Sequence, residues 1–255
     1  MNRDQLRKEN LVIQKRYENK YFPIVRKSIR STVNQTIAVV KNQGPHSAIS
    51  SLNHQTNNKG LTTTLYNMAE DVGLRFARKQ QIQFNKQRKG FGNNATWKQM
   101  LKGLLFNFIT GQSFSIFETT RDVLIRTLNK SIEEGWGVDK TVQALEELDL
   151  PDYQAARIVR TEITRAANAG TSVASQTFPY EQTKEWIATH DDRTRHAHLT
   201  LDGLTVNVDD VWIDEDGNEL RFPGDPEAGP ETTINCRCTM AVVAKVNARG
   251  RMIAA

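Results

Sequence analysis

The sequence predicts an α+β fold, in which a mainly helical N-terminal body is followed by a small β-containing C-terminal module. Two observations predict it. Apolar residues recur every three or four positions from Leu6 to about Ser175, which is the spacing of a buried helix face. After Pro179, the residues Pro, Gly and Asp separate short β-prone runs, and Asp216-Gly217 between two such runs is typical of a tight hairpin.

Proline and a change in composition divide the predicted helical part into segments. We expect two long helices before residue 41, with a break at Pro23, because proline lacks a backbone donor and clashes with the preceding turn. Residues 41–60 are rich in Asn, Gln, Ser and Gly and predict a flexible connector. The predicted parts are therefore a basic helical arm with connector at 1–60, a helical body at 61–178 and the small module at 179–255.

The elements of the body and the module follow from periodicity. A helix starting at Leu61 is expected to bury a stripe formed by Leu61, Leu65, Met68, Val72 and Phe76. Further helices are expected at 97–110, 114–134, 138–148 and 153–175. The last has mostly small inner residues, such as Ala166 and Gly170, which predict close packing on another element. Strands are expected in the runs TVNV, VWI, LRF and CTMAVVAKV.

Charge is unevenly distributed along the chain. Residues 1–100 contain 18 Lys or Arg and 5 Asp or Glu, whereas residues 101–255 contain 16 and 24. A basic half favours a nucleic acid, an anionic membrane or an acidic protein as partner, although a solvated helical surface would look the same. The longest apolar run, near residues 104–109, is far shorter than a membrane span, so we expect no membrane partner.

Six cations are the candidate nucleic-acid contacts. Three lie at the edge of the apolar stripe and three in the basic loop after it: Arg75, Arg78, Lys79, Lys86, Arg88 and Lys89. The sequence contains no aromatic platform and no recognition motif for bases. We therefore expect binding to double-stranded DNA to be independent of sequence.

A His- and Cys-containing pair of segments is the candidate metal site. If CRCTMAVV is a strand, Cys236 and Cys238 lie on one face and Arg237 on the other. Thiolates bind Zn²⁺ together with imidazole or carboxylate groups. The loop before the cysteines offers such groups in His198 together with Asp192, His190 or His196. The candidate ligands of a structural zinc are His198, Cys236, Cys238 and Asp192.

Other interpretations of these residues remain open. The C-x-C spacing departs from the usual zinc patterns, so Cys236 and Cys238 could instead be buried thiols with His198 hydrogen-bonded nearby. Asp192 could cap the turn or short helix through His198. Residues 185–231 contain 13 acidic and 3 basic side chains, which favours protonated thiols over nucleophilic ones. We assign no catalytic residue.

An ordered series of motifs resembles the phage Mu protein F-like family of minor head, or head morphogenesis, proteins. The resemblance covers roughly residues 150–245. Its motifs follow the RTEITRAANAG helix in this order: Trp186, DDRTR at 191–195, His198, LDG at 201–203, PGD at 223–225 and NCRC at 235–238. His198, Cys236 and Cys238 match positions that the family shares. His190 and His196 are additions of this chain.

The resemblance implies a non-enzymatic component of a tailed-phage virion. Such a protein would associate with the portal vertex during procapsid assembly in the host cytoplasm and would contact packaged DNA. The expected partners are portal, capsid or scaffold proteins and double-stranded DNA, which would be bound independently of its sequence. The basic half could equally dock on an acidic portal or scaffold surface. The alternatives are a metal-dependent hydrolase or nuclease-like enzyme that uses His198, Asp192 and the cysteines, and a dedicated DNA-binding module.

Overall fold

The computed structural model describes residues 2–85, 93–148 and 150–255. Among these residues, five helices precede the first strand, and five short strands lie in the C-terminal part together with two short helices. The predicted α+β class is therefore confirmed. The helices are α1 (Arg3–His54), α2 (Lys59–Asn85), α3 (Asn94–Glu133), α4 (Val138–Glu146), α5 (Leu150–Gln176), α6 (His196–Thr200) and α7 (Pro230–Thr233).

Helix α1 corrects two predictions about the arm. It passes through Pro23, where we expected a break, because Tyr21 and Val25 on either side are buried and their packing outweighs the missing hydrogen bond. The departure from helical geometry lies instead at Gly44, whose φ of 83° suits glycine. Most of the predicted connector 41–60 is helical, because Ala48 and Leu52 are buried one turn apart.

The second helix confirms the predicted apolar stripe. All five stripe residues, Leu61, Leu65, Met68, Val72 and Phe76, are buried. Asn58 caps the start of α2, since its side-chain oxygen accepts a hydrogen bond from the Leu61 amide at 3.0 Å.

Helix α3 is continuous where we predicted two helices with a break near residue 111. Gly111 lies inside it, and the buried residues Ile109 and Phe117 on both sides offset the cost of a mid-helix glycine. Helices α4 and α5 confirm the predictions at 138–148 and 153–175 to within a turn.

The chain packs as two compact units, each built from separate stretches of sequence. The first consists of Met1–Asn19, Asn67–Phe106 and Arg157–Ala255, and the second of Lys20–Tyr66 and Asn107–Ala156. The division into residues 1–60, 61–178 and 179–255 stays a prediction. The second unit is held by an aliphatic core formed by Val33, Ile37, Val40, Ala48, Leu52, Leu124, Leu128, Val142 and Leu145.

In the first unit, the strands form one sheet and one hairpin. The sheet has the order β2-β1-β5 and is antiparallel, with strands β1 (Gln182–Ile187), β2 (Thr205–Asn207) and β5 (Thr239–Ala244). Strands β3 (Trp212–Ile213) and β4 (Glu219–Leu220) form the predicted hairpin, with Gly217 at a φ of 82° in its turn. Our strand predictions omitted β1.

The first unit also contains a close approach of two helices. Gly170 of α5 lies against Gly73 of α2, so that a Cβ atom placed on Gly170 would stand 2.1 Å from the Gly73 carbonyl oxygen. The small residues of α5 therefore serve the close packing that the sequence predicted.

Replacing Gly170 by alanine is expected to lower the free energy of unfolding by about 1–3 kcal/mol, because backbone atoms would have to move to admit the methyl group. Gly103→Ala in α3 is the matched control, since its Cβ would meet nothing within 4 Å. The control should stabilise the helix by about 0.5–1 kcal/mol. Denaturant unfolding followed by circular dichroism measures both, and an equal response of the two variants would contradict the close approach.

Candidate functional site

His198, Cys236 and Cys238 come together in the first unit. Nδ1 of His198 lies 3.7 Å from Sγ of Cys236 and 3.5 Å from Sγ of Cys238. One ligand atom from each residue lies within 4.8 Å of the other two. The exposed fractions of these residues are 2%, 3% and 1%, so the His–Cys–Cys group is buried.

The pKa values of the two thiols shift in opposite directions. Cys238 donates a hydrogen bond to Cys236, which lowers the pKa of Cys236 against the opposing effect of burial. The same hydrogen bond, together with burial and the neighbouring thiolate, raises the pKa of Cys238 well above its ordinary value, although His198 opposes the rise.

The geometry of the cysteines differs from the expected strand. Both residues precede β5, which begins at Thr239. Arg237 nevertheless turns away from the two thiols, and its guanidinium lies 2.6 Å from a carboxylate oxygen of Asp191. The two thiols thus lie together and Arg237 binds elsewhere, as predicted, although this segment is not part of the strand.

Asp192, the fourth predicted ligand, lies outside the group. Its side chain is 89% exposed and 3.9 Å from the Arg193 guanidinium. The predicted capping role falls to its neighbour Asp191, which accepts hydrogen bonds from the Arg193 amide and the Thr194 hydroxyl, both at 3.1 Å. These two hydrogen bonds and the ion pair with Arg237 turn Asp191 inward, which leaves Asp192 facing solvent.

The other two histidines of the loop are also separate from the thiols. Nε2 of His190 lies 2.9 Å from Asp202, and Nδ1 of His196 lies 2.8 Å from Glu215. Both histidines are exposed. Only His198 of the three is placed to act with Cys236 and Cys238.

Asp202, in the LDG motif, joins the loop to the start of α1. Its carboxylate accepts hydrogen bonds from the Ala188 amide at 2.7 Å and from Arg3 and His190. Burial alone would raise the pKa of Asp202, but these hydrogen bonds and the charge of Arg3 outweigh it, so the pKa lies below its ordinary value. Asp202 is therefore an ionised structural acceptor.

Helix α5 provides the polar contacts that sequence reasoning missed. The buried amide nitrogen of Asn168 donates to the carbonyl oxygens of Pro223, at 3.0 Å, and Cys238, at 3.1 Å. Buried Arg165 donates from Nε to the Gly224 carbonyl at 3.0 Å and pairs with Glu162. A signal was present, because both side chains interrupt a helix face of small residues.

Aromatic packing closes the group on its other side. The Trp186 ring packs edge-on against His198 and against Trp212, with ring centroids 5.3 Å apart in each pair. Nε1 of Trp186 and Nε2 of His198 are buried and have no hydrogen-bond partner among the described residues. The indole N–H of Trp186 is a donor, and Nε2 of His198 is a donor or an acceptor according to its tautomer; a further group in the site could satisfy each.

This arrangement suits binding more than reaction. Two thiols and an imidazole are a donor set that Zn²⁺ prefers, and their three ligand atoms already converge. A nucleophilic cysteine requires access for its substrate, which the burial of both thiols opposes. The group fits a structural metal or a buried hydrogen-bonded cluster.

The candidate nucleic-acid contacts have different environments. Arg75 and Arg78 are exposed, and Arg78 donates to the Asn94 side chain at 3.0 Å. Lys79 is partly buried and pairs with Glu9 at 3.2 Å; burial lowers its pKa, against the effect of that partner. The other three, Lys86, Arg88 and Lys89, lie outside the described residues.

Among the helices in the described part of the chain, none has the length and apolarity required to cross a membrane.

Comparison with known proteins gives one family match and one similar protein. Residues 122–241 match the family described as Phage Mu protein F like protein. The chain is also 31% identical over 138 residues to an NAD(+)–arginine ADP-ribosyltransferase of Enterococcus faecalis, a match that covers 47% of this chain and 26% of that relative. The chain thus matches about a quarter of the length of this relative. No solved structure matches.

The matched range contains the whole His–Cys–Cys group and the buried polar residues of α5 that support it. The resemblance inferred from the ordered motifs is confirmed over residues 122–241, which match the family described as Phage Mu protein F like protein.

Proposed function

We propose that this chain is a structural head morphogenesis protein of a tailed bacteriophage. It associates with the portal vertex, and with packaged DNA, during procapsid assembly, and it becomes part of the virion. The observation that carries the proposal is the use of the family motifs, because LDG, PGD and NCRC all supply contacts within the first unit. Residues that hold one segment to another, rather than line an open cleft, are what an assembly component requires.

The proposal assigns a structural zinc ion to the His–Cys–Cys group. His198 Nδ1, Cys236 Sγ and Cys238 Sγ would hold it. When bound, zinc would join the loop that carries α6 to the segment before β5 without taking part in a reaction. Such a link would stabilise the folded state, because the unfolded chain does not hold the three ligands together.

A metal-dependent hydrolase or nuclease-like enzyme is the alternative. A catalytic zinc keeps a position open to water and substrate, whereas the three donors here are at most 3% exposed, which favours a structural metal. The relative named as an ADP-ribosyltransferase gives a second enzymatic hypothesis. Hydrolysis of phosphodiesters, or transfer from NAD⁺, by the purified chain would support an enzyme, provided that Cys236→Ser abolishes it.

Exposed cations of the N-terminal region bind the anionic partner in this proposal. Arg75 and Arg78 are exposed on α2, and Lys27 and Lys41 are exposed on α1. These cations suit contacts with phosphates, which need no fixed base sequence. An acidic surface of the portal or scaffold would satisfy the same charges.

The wild-type protein is expected to bind one zinc ion per chain. Cys236→Ser and His198→Ala each remove a ligand and should weaken binding by more than about a hundredfold, since even loss of an outer-shell partner costs 10–100-fold. Affinity should fall as the pH falls, because both thiols must lose their protons and the raised pKa of Cys238 makes its proton the harder to displace. Elemental analysis and a competition titration measure these effects.

Asp192→Ala is the matched control, and it should bind zinc like the wild type because its carboxylate is 89% exposed. The structural zinc site would be contradicted if the metal-free wild-type protein unfolded cooperatively at the same denaturant concentration as the zinc-treated protein. The buried-thiol interpretation would then apply.

Removal of the six candidate cations is expected to weaken DNA binding by the full chain and to flatten its salt dependence. The slope of log K against log[salt] should change by about 0.9 for each phosphate that the protein no longer neutralises. Fluorescence anisotropy with duplexes of unrelated sequence measures both. A variant without exposed Lys102, Arg126 and Lys140 is the control, and an equal effect for each cation removed would point to non-specific charge.

Co-expression with the portal and capsid proteins of the encoding phage or prophage should yield a complex that contains this chain. Affinity purification through the chain, followed by mass spectrometry of what is retained, identifies the partner. Failure to retain any head component, with the zinc site intact, would contradict the assembly role while leaving the structural metal standing.

A further inference from the structure

A groove with an apolar floor and a basic rim lies in the first unit, away from the His–Cys–Cys group. Its volume is about 920 Å³, and it is lined by the start of α1, the end of α2 and strand β5. Three aliphatic side chains of its lining are about half exposed: Val12 at 52%, Ile82 at 56% and Val243 at 46%. Aliphatic groups this exposed, one from each element, indicate a surface that is covered by a partner.

The rim of the groove is positively charged. Lys8 and Arg75 are exposed and form no ion pair among the described residues. Lys79 is paired with Glu9, so its charge is compensated. The groove therefore combines an aliphatic floor with two uncompensated cations, and it fits an occupant with exposed aliphatic and acidic groups.

Such an occupant is formed by the residues around β2, at the opposite edge of the same sheet, and by the β3–β4 hairpin, whose Trp212 Nε1 donates to the Leu204 carbonyl at 3.0 Å. Leu204 and Ile213 are 50% and 62% exposed, and Ile213 faces Glu219 across the β3–β4 hairpin. Four exposed carboxylates accompany them and are absent from the ion pairs formed within the described residues: Asp209, Asp210, Asp216 and Glu219. We call this surface the acidic edge.

The sheet order separates the two surfaces. The groove includes Val242 and Val243 of β5, one outer strand, whereas Leu204, Asp209 and Asp210 flank β2, the other outer strand. Strand β1 lies between them. A single chain presents complementary surfaces at opposite edges, and they can meet only between two copies.

We propose that the groove of one copy binds the acidic edge of a second copy, head to tail. The interface is heterologous, so each copy in an oligomer uses both surfaces and the copies form a ring or a short row. The apolar contact of Ile82 and Val243 with Leu204 and Ile213 supplies the hydrophobic part of the interface. The ion pairs of Lys8 and Arg75 with the carboxylates fix its direction.

Two single substitutions test the contact in the full-length chain. Ile82→Asp in the groove and Ile213→Asp in the acidic edge each bury a carboxylate in the contact, and each should weaken self-association by about tenfold or more. Ile24→Asp, at another aliphatic residue that is 43% exposed, is the matched control and should associate like the wild type. Sedimentation velocity at low and high salt measures the mass, and association should weaken as salt rises.

Mixing the two variants decides the geometry. The intact groove of Ile213→Asp can accept the intact acidic edge of Ile82→Asp, so the mixture should form 1:1 dimers and nothing larger. The proposal is overturned if the wild-type protein stays monomeric at low salt and high concentration. Capture of a different acidic partner through Ile82 would then give the groove another occupant. The proposal is also overturned if the variants associate like the wild type, or if their mixture stays monomeric while the wild type associates. Thermal unfolding verifies that each variant is folded.

Discussion

The buried amide of Asn168 is the contact on which the C-terminal module most depends. From the middle of α5, its nitrogen reaches the carbonyl oxygens of Pro223 and Cys238, which belong to segments fifteen residues apart in the chain. A buried polar side chain that satisfies two otherwise unpaired carbonyl groups is costly to replace, because its removal leaves both acceptors without a donor. The segment with the cysteines is thereby fixed before any metal is considered.

The close approach of helices and the polar contacts of α5 support each other. Gly170 brings α5 against Gly73 of α2, and Asn168, one half-turn earlier, faces the module. Arg165 adds a third hydrogen bond to this set through the Gly224 carbonyl. Helix α5 therefore has contacts with a helix and with the module's loops, which explains why its residues are small at some positions and polar at others.

The His–Cys–Cys group gains its character from burial. The same two thiols and imidazole in an open cleft would be a reactive centre, but here Trp186 covers the imidazole and the Asn168 contact holds the backbone of Cys238. Reactivity needs access and an electropositive surrounding, whereas a structural site needs convergence and exclusion of water. The observed geometry favours the second requirement, in agreement with a phage head protein family.

The sequence by itself determined the features that depend on local pattern. The apolar stripe of α2 follows from periodicity, which reports which side of a helix is buried, and the hairpin follows from its turn residues Asp216-Gly217. The choice of His198 to accompany Cys236 and Cys238 rests on the ordered motifs that resemble the family. Tertiary structure decided what depends on distant partners. Strand β1 escaped prediction because Gln182 and Lys184 point inward, where carbonyl groups of Ser175 and Arg221 accept from them. Likewise, the ion pair with Arg237 orients Asp191 inward, whereas Asp192 faces solvent. Helix α1 continues through Pro23 because buried residues pack on both sides of it. A buried polar group or a helix breaker is tolerated only where other segments compensate its cost.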